Sequence, residues 1–291
     1  MAGNDGNDGN DGNDGNDGND GNAGNVGRAG GSWTFADRVD LPFVTEPDVA
    51  KQLLARKSFG SRNWVSNYAA WLTIGDYAKT AWRNIQVPAH PNRPETELEI
   101  GKLRVMALDE RPDALGEIFA QCDEFTSYFA GLMGATPVSH PATFLVFAIA
   151  NPVCTMTSMY FKDKFDRPRP SHICPALLPP LQVPGHASYP SGHSTQAHLL
   201  ATCARAMLPQ STPAEKIDRD KIGMVLDTLA GRIARNREIA GLHYKSDSDA
   251  GKYLAGEIFK ILTDETQMPP APSSTKSRFT LALEKAAAEW I

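Results

Sequence analysis

Residues 185–208 read GHASYPSGHSTQAHLLATCARAML, a Pro-Ser-Gly turn that runs into an apolar stretch with helical spacing. Ser191 is placed to cap a helix that begins at Gly192. A helix starting here leaves backbone N–H groups unpaired in its first turn, where the dipole also favours negative charge. Gly192 lets an anion approach the backbone, Ser191 adds a hydroxyl, and His193 stands beside that anion with a titratable proton. A plain serine cap with a histidine in the first turn accounts for the same letters, so the stretch sets a helix and leaves its chemistry open.

The helical periodicity extends outward over most of the chain. Trp64, Tyr68, Trp71, Gly75, Ala78 and Trp82 fall on one 3.6-residue stripe, and Leu115, Ile118, Phe119, Cys122, Phe125, Phe129 and Leu132 on a second. Ile222, Val225, Leu226, Leu229 and Ile233 form a third, and Leu254, Ile258, Ile261 and Leu262 a fourth. All four are read as core. No sustained alternation of β-branched residues occurs, so the expected fold class is all-α, a helical bundle. The uncharged run PATFLVFAIANPVCTMTSMYF (141–161) contains Asn151 and Pro152 and is expected to be a buried core helix with a break at Pro152 rather than a membrane span. Residues 168–190 hold seven prolines and are expected to form a stiff surface loop that is neither helical nor part of a sheet.

Composition narrows the partners. Of the 34 acidic and 29 basic residues, six Asp and one Arg lie within residues 1–31, which leaves 28 of each sign in the remainder. That balance argues against nucleic acid or a charged membrane surface as a partner. Residues 1–31 repeat Gly, Asn and Asp with too few apolar residues to offset the entropy of ordering, and read as a disordered spacer. The expected organisation is this tail, an N-terminal helical region over 32–112, a catalytic helical bundle over 113–265, and a Pro-containing linker with a C-terminal helix over 266–291. Cys122, Cys154, Cys174 and Cys203 fit neither a metal pattern nor a disulfide framework and read as small hydrophobes. The first residues show no basic region followed by an apolar one, so a cytoplasmic location is expected, or the periplasm if the true start differs.

Two further clusters suit an anion. In KDKFDRPRP, Lys162 precedes Arg169 by seven positions, and an ammonium with a forked guanidinium suits a tetrahedral oxyanion. Lys164 and Arg167 are expected on the wrong face. In NREIAGLHYKSD, His243 and Asp247 are four apart and share a helical face, so the carboxylate can accept the Nδ1 proton and leave Nε2 available; Arg237 adds a guanidinium. His198 lies off the face of His193, and His90, His140 and His172 sit in Pro-containing stretches without an evident partner.

The order Lys-x6-Arg-Pro, Pro-Ser-Gly-His, Arg-x5-His-x3-Asp over residues 162–247 resembles the signature of the type-2 phosphatidic acid phosphatase and vanadium haloperoxidase superfamily, soluble bacterial acid phosphatases in particular. Asn236 stands where that family usually has Ser, and the first hundred residues carry no family signature. The resemblance implies a phosphomonoester hydrolase acting on soluble esters through a phosphohistidine. His243 would be the nucleophile, Asp247 its orienting carboxylate and His193 the general acid and base. Lys162, Arg169, Ser191, Gly192 and Arg237 would bind the phosphate. It implies no metal and no required cofactor.

The same pocket could hold vanadate on His243 and act as a haloperoxidase. His186 resembles the extra histidine of bromoperoxidase-like members, whereas Met159 stands where haloperoxidases have a larger aromatic or basic residue. A third alternative is a non-catalytic phosphate-ligand binding protein, against which His193, His243 and Asp247 together speak. The expected partner is a small phosphate ester, without stable membrane insertion; a homo-oligomer is left open.

Overall fold

The computed structural model describes residues 66–209 and 219–290. The expected tail over 1–31 and Trp64 of the first stripe lie outside them. The described residues form an all-α fold without strands. The helices are α1 (Ser66–Tyr77), α2 (Arg93–Asp109), α3 (Arg111–Asp123), α4 (Thr126–Met133), α5 (Pro141–Phe165), α6 (Gly192–Met207), α7 (Arg219–Ile239), α8 (Lys245–Leu262) and α9 (Arg278–Ala287).

Helix α6, the continuation of the opening stretch, is the centre of the bundle and packs against α5, α7 and α8. Its Leu199, Leu200, Ala201, Cys203, Ala204 and Met207 are all buried, as a helix apolar on every side must be. Ser191 caps it by accepting from the Ser194 N–H at 3.3 Å. Helix α2 begins with a reciprocal box in which Asn92 accepts from Glu95 N and Glu95 accepts from Asn92 N. Helices α1 and α9 close the bundle over α5.

Several expectations need correction. Helix α5 runs unbroken from Pro141 to Phe165 with Pro152 inside it. Pro152 removes one backbone hydrogen bond, but Phe147, Ile149, Ala150, Val153 and Cys154 on either side are buried in the main core, and that packing holds both halves in line. On α1, Tyr68 and Trp71 of the first stripe face outward while Ala70, Thr73 and Tyr77 face the core. Residues with 3.6 periodicity form two faces here, and the buried one is the smaller and less aromatic. The second stripe is split between α3 and α4, so Ile118, Phe125 and Phe129 are buried and Phe119 and Leu132 are exposed. In the third, Leu226 and Ile233 are buried and Val225 is exposed; the fourth is buried throughout. The proline-rich segment contains a one-turn helix at Pro170–Ile173 and a 3-10 turn at Pro175–Leu177, each opening on a proline, the one helical position that needs no N–H.

The contact that positions the site is the crossing of α6 and α8. A Cβ built on Gly251 would lie 2.7 Å from the Ser191 carbonyl oxygen and 2.8 Å from Ser194 Cβ, so only glycine permits this approach. Across it, Ser194 Oγ donates to the Ser248 carbonyl at 2.7 Å. Ser191 N donates to the Asp247 carbonyl at 3.0 Å. Gly251→Ala is expected to lower stability by about 1–3 kcal/mol through overpacking. Gly256→Ala, on the same helix with nothing within 4 Å, should be neutral or mildly stabilising. Thermal unfolding of both variants checks this; equal melting temperatures would refute the close approach.

Candidate active site

The Arg-x5-His spacing follows from how α7 ends. Gly241 adopts a left-handed conformation (φ 78°), and the chain turns so that Leu242 N and His243 N both donate to the Arg237 carbonyl, at 3.0 and 3.4 Å. The turn carries His243 back over the end of α7 while α8 begins at Lys245. One turn into α8, Asp247 accepts from His243 Nδ1 at 3.1 Å and from the Tyr244 N–H at 3.1 Å, both through Oδ2. A carboxylate only accepts, so Nδ1 carries the proton and Nε2 presents its lone pair. Burial holds His243 well below the usual histidine range, against the pull of Asp247 and reinforced by the nearby charges of Arg169 and Lys162. Burial alone would raise the Asp247 carboxyl, but the His243 hydrogen bond, the Arg167 guanidinium and the Tyr244 N–H outweigh it and hold the group low.

Facing Nε2 is the loop that follows α5. Arg169, 1% exposed, places Nη1 3.5 Å from His243 Nε2 and donates to the Leu242 carbonyl at 3.2 Å. Its other edge reaches the His186 carbonyl at 3.0 Å and His186 Nδ1 at 3.1 Å. His186 therefore lies against the guanidinium that faces His243. Lys162, buried in the last turn of α5, donates to the carbonyls of Ala187 at 2.9 Å and Ser188 at 3.2 Å. Lys162, Arg169, His186, His243 and Asp247 are thus brought together directly, and Ser191 joins them through the Asp247 backbone.

His193 and Arg237 meet the same element, α3. Nε2 of His193 is 3.3 Å from the Cys122 carbonyl, which can only accept, so this nitrogen carries a proton. The ring of Phe125 lies beside it at 5.5 Å. Arg237, fully buried, donates Nη2 to the Ile118 carbonyl at 2.6 Å. The last turns of α3 therefore roof the two groups. Asn236, at the position where the resemblance leads one to expect Ser, turns away and donates to Glu117 at 2.9 Å and Gln121 at 2.8 Å.

Arg167 is the main residue that sequence reasoning misplaced. Helical projection put it on the wrong face, but α5 ends at Asp166, whose φ of 45° turns the chain, and the projection does not apply beyond that point. Arg167 is 2% exposed and donates to Asp247 Oδ1 at 2.6 Å, Ser246 Oγ at 2.7 Å, Glu99 Oε2 at 2.9 Å and Thr96 Oγ1 at 3.2 Å. Its guanidinium also stacks 3.8 Å from the centre of the Tyr244 ring. Lys164, by contrast, lies outside this cluster, over the Phe161 ring. Glu99 and Thr96 come from α2, and nothing in their local sequence marks them. Arg111 was missed likewise: it caps the end of α7 at the Ile239 carbonyl (2.9 Å) and holds the proline-rich loop at the Leu177 carbonyl (2.7 Å). The remaining histidines lie apart from this cluster: His198 bonds its own helix at the Ser194 carbonyl, and His140 stacks on Trp290.

Residues 141–264 match the PAP2 superfamily. That span is a PAP2 domain. It carries all the residues that the sequence singled out, while α1–α4 and α9 lie outside it. Among solved structures, the chain is similar to the first transmembrane PAP2 type phosphatidylglycerolphosphate phosphatase from Bacillus subtilis, at 14% identity over 67% of this chain and 95% of that one, with a TM-score of 0.44. No curated protein matches the chain. The expected cytoplasmic location is corrected on the sequence of one segment: among the described residues Pro141–Ile173 is long and apolar enough to cross a membrane by length and composition, with 61% of its apolar window buried inside the fold. Among the described residues no group of three or more His, Cys, Asp or Glu is arranged to hold a metal ion.

Arg167→Met would remove the cation that the buried Asp247 and the half-buried Glu99 share. Losing a group that orients a reacting residue typically costs about 10- to 100-fold in activity, and breaking a buried ion pair about 3–5 kcal/mol. Both losses are expected, read as kcat/KM and melting temperature, and Arg167→Lys should recover stability better than activity because it lacks the fork. Full activity in Arg167→Met would refute the role.

Proposed function

We propose that this PAP2 protein is a phosphatase-type hydrolase that cleaves phosphomonoesters through a covalent phosphohistidine. The observation that carries the reading is the His243–Asp247 pair, with Nδ1 committed to the carboxylate at 3.1 Å and the Nε2 lone pair turned toward a buried guanidinium. Mere anion binding requires neither a neutral imidazole nor its carboxylate. In the first step His243 Nε2 attacks phosphorus, the ester P–O bond breaks, and the leaving alkoxide takes a proton from His193, which acts as the imidazolium and is left neutral. In the second, His193 accepts a proton from water, the water oxygen displaces His243, and inorganic phosphate leaves. Asp247 stabilises the imidazolium formed on His243. Lys162, Arg169, Arg237, Ser191 and the Gly192 N–H bind the phosphoryl oxygens, where charge concentrates as the ester breaks. Three buried cations supply the positive charge, so no metal or cofactor is needed. Small soluble phosphate esters are the proposed substrates.

Purified protein should hydrolyse p-nitrophenyl phosphate with chelator present and be inhibited by vanadate, and His243→Ala should lose more than about a thousandfold in kcat. Full turnover in that variant would sink the nucleophile assignment. The pH profile provides a separate check. His243 is depressed, so it stays neutral and competent below the ordinary histidine value of about 6.5 and is lost only as pH falls to its own lower value. The acid limb of kcat/KM is therefore expected below pH about 6.5; a limb centred above that would contradict the buried neutral imidazole.

One observation favours a second reading. His186 lies against the Nη2 edge of the same guanidinium whose Nη1 faces His243. The Nε2 lone pair and the surrounding cations fit vanadate, which when bound would supply activation of peroxide for halide oxidation. Strong bromination after loading with vanadate, together with negligible ester cleavage, would establish that reading over hydrolysis.

A further inference from the structure

We propose that Gln121, outside the PAP2 domain, is an additional donor to a phosphoryl oxygen of the bound ester. The argument rests on the phosphatase reading above and begins with a chain of side chains that fixes the orientation of an amide. Arg232 Nε donates to Glu117 Oε2 at 2.7 Å, so Glu117 is a carboxylate and can only accept. Asn236 Nδ2 donates to that same oxygen at 2.9 Å. Its second proton points to Gln121 at 2.8 Å, and the atom that receives it must be Oε1. The Gln121 amide therefore cannot flip, and Nε2 is forced to the far corner.

That corner is sealed from solvent and has no hydrogen-bond partner in the described residues, although Gln121 itself is 1% exposed. A buried donor without an acceptor is costly, and native structures retain one where something absent from the protein completes it. The position of Gln121 identifies the missing acceptor. On α3, Ile118 and Cys122 flank Gln121 on the same helical face; the Ile118 carbonyl meets Arg237 at 2.6 Å and the Cys122 carbonyl meets His193 at 3.3 Å. Gln121 thus belongs to the stretch of α3 whose carbonyls on either side meet a proposed phosphate-binding guanidinium and the proposed general acid. A phosphoryl oxygen held by Arg237 would satisfy Gln121 Nε2. A serine at position 236 could not bridge Glu117 and Gln121 together, so the asparagine and the glutamine act as one unit.

The test measures inorganic phosphate binding by calorimetry, with p-nitrophenyl phosphate kinetics, on wild type, Gln121→Met and Gln121→Glu. Methionine removes the amide at similar volume and is the decisive variant, while glutamate keeps the acceptor toward Asn236 but exchanges the donor for a carboxylate oxygen, whose charge adds repulsion to the lost hydrogen bond. Phosphate affinity is expected to fall about 10- to 100-fold in both, the loss of one hydrogen bond to a charged group, with melting temperatures confirming that at least one variant is folded. A folded variant that binds phosphate within about twofold of wild type overturns the proposal, as does a raised KM with unchanged phosphate affinity, which would place the donor on the leaving group. Wild type that hydrolyses the ester while the variants bind phosphate normally refutes Gln121 alone; wild type that neither binds phosphate nor hydrolyses the ester refutes the phosphatase reading as well.

Discussion

Asp247 is a fully buried carboxylate, and the surrounding structure can be understood as what such a group requires. An isolated charge in this position would cost several kcal/mol, so it persists only where donors surround it. One oxygen takes protons from His243 Nδ1 and the Tyr244 N–H, the other from Arg167. Its backbone carbonyl takes the Ser191 N–H. The start of α8, the loop after α5 and the cap of α6 are thereby fastened to one residue. The same donors that make the burial tolerable set the tautomer of His243, so stability and chemistry are met by the same contacts.

Arg167 extends this arrangement beyond the PAP2 domain. Satisfying Asp247 with a single guanidinium would leave the remaining N–H groups of that guanidinium buried and unused, and Glu99, Thr96 and Ser246 accept them. Glu99 in turn accepts from the Ser246 N–H at 2.8 Å, closing a ring that joins α2 to the first turn of α8. Two carboxylates sharing one planar cation hold it in place from both sides, which an ammonium could not match. Helix α2 is consequently part of the site although it has no recognisable motif.

What could be read from the sequence is what lies within one helix or one turn. Ser191 before Gly192, His243 four before Asp247 and Lys162 at the end of an apolar run are local patterns with local geometry, and the all-α class follows from periodicity summed over long segments. The failures have equally physical causes. Periodicity cannot say which of two faces of α1 meets the core, and it cannot see that packing overrides Pro152. Projection along a helix fails at Asp166, where the backbone turns left-handed, and with it went Arg167. Glu99 and Gln121 lie 68 and 115 positions from the residues they serve, and no spacing rule spans that distance.

The division between domain and surroundings has a mechanical consequence at α3. Its first residue, Arg111, grips the carbonyl end of α7 and the proline-rich loop, while its last turns lie on Arg237 and His193. Helix α3 is thus tied to the element that carries Arg237 both at its first residue and near its end. Residues 141–264 hold His243, Asp247 and the buried cations Lys162, Arg169 and Arg237, and α3 supplies carbonyls that meet Arg237 and His193. Under the proposed function, part of the surface that an ester would meet therefore comes from outside residues 141–264.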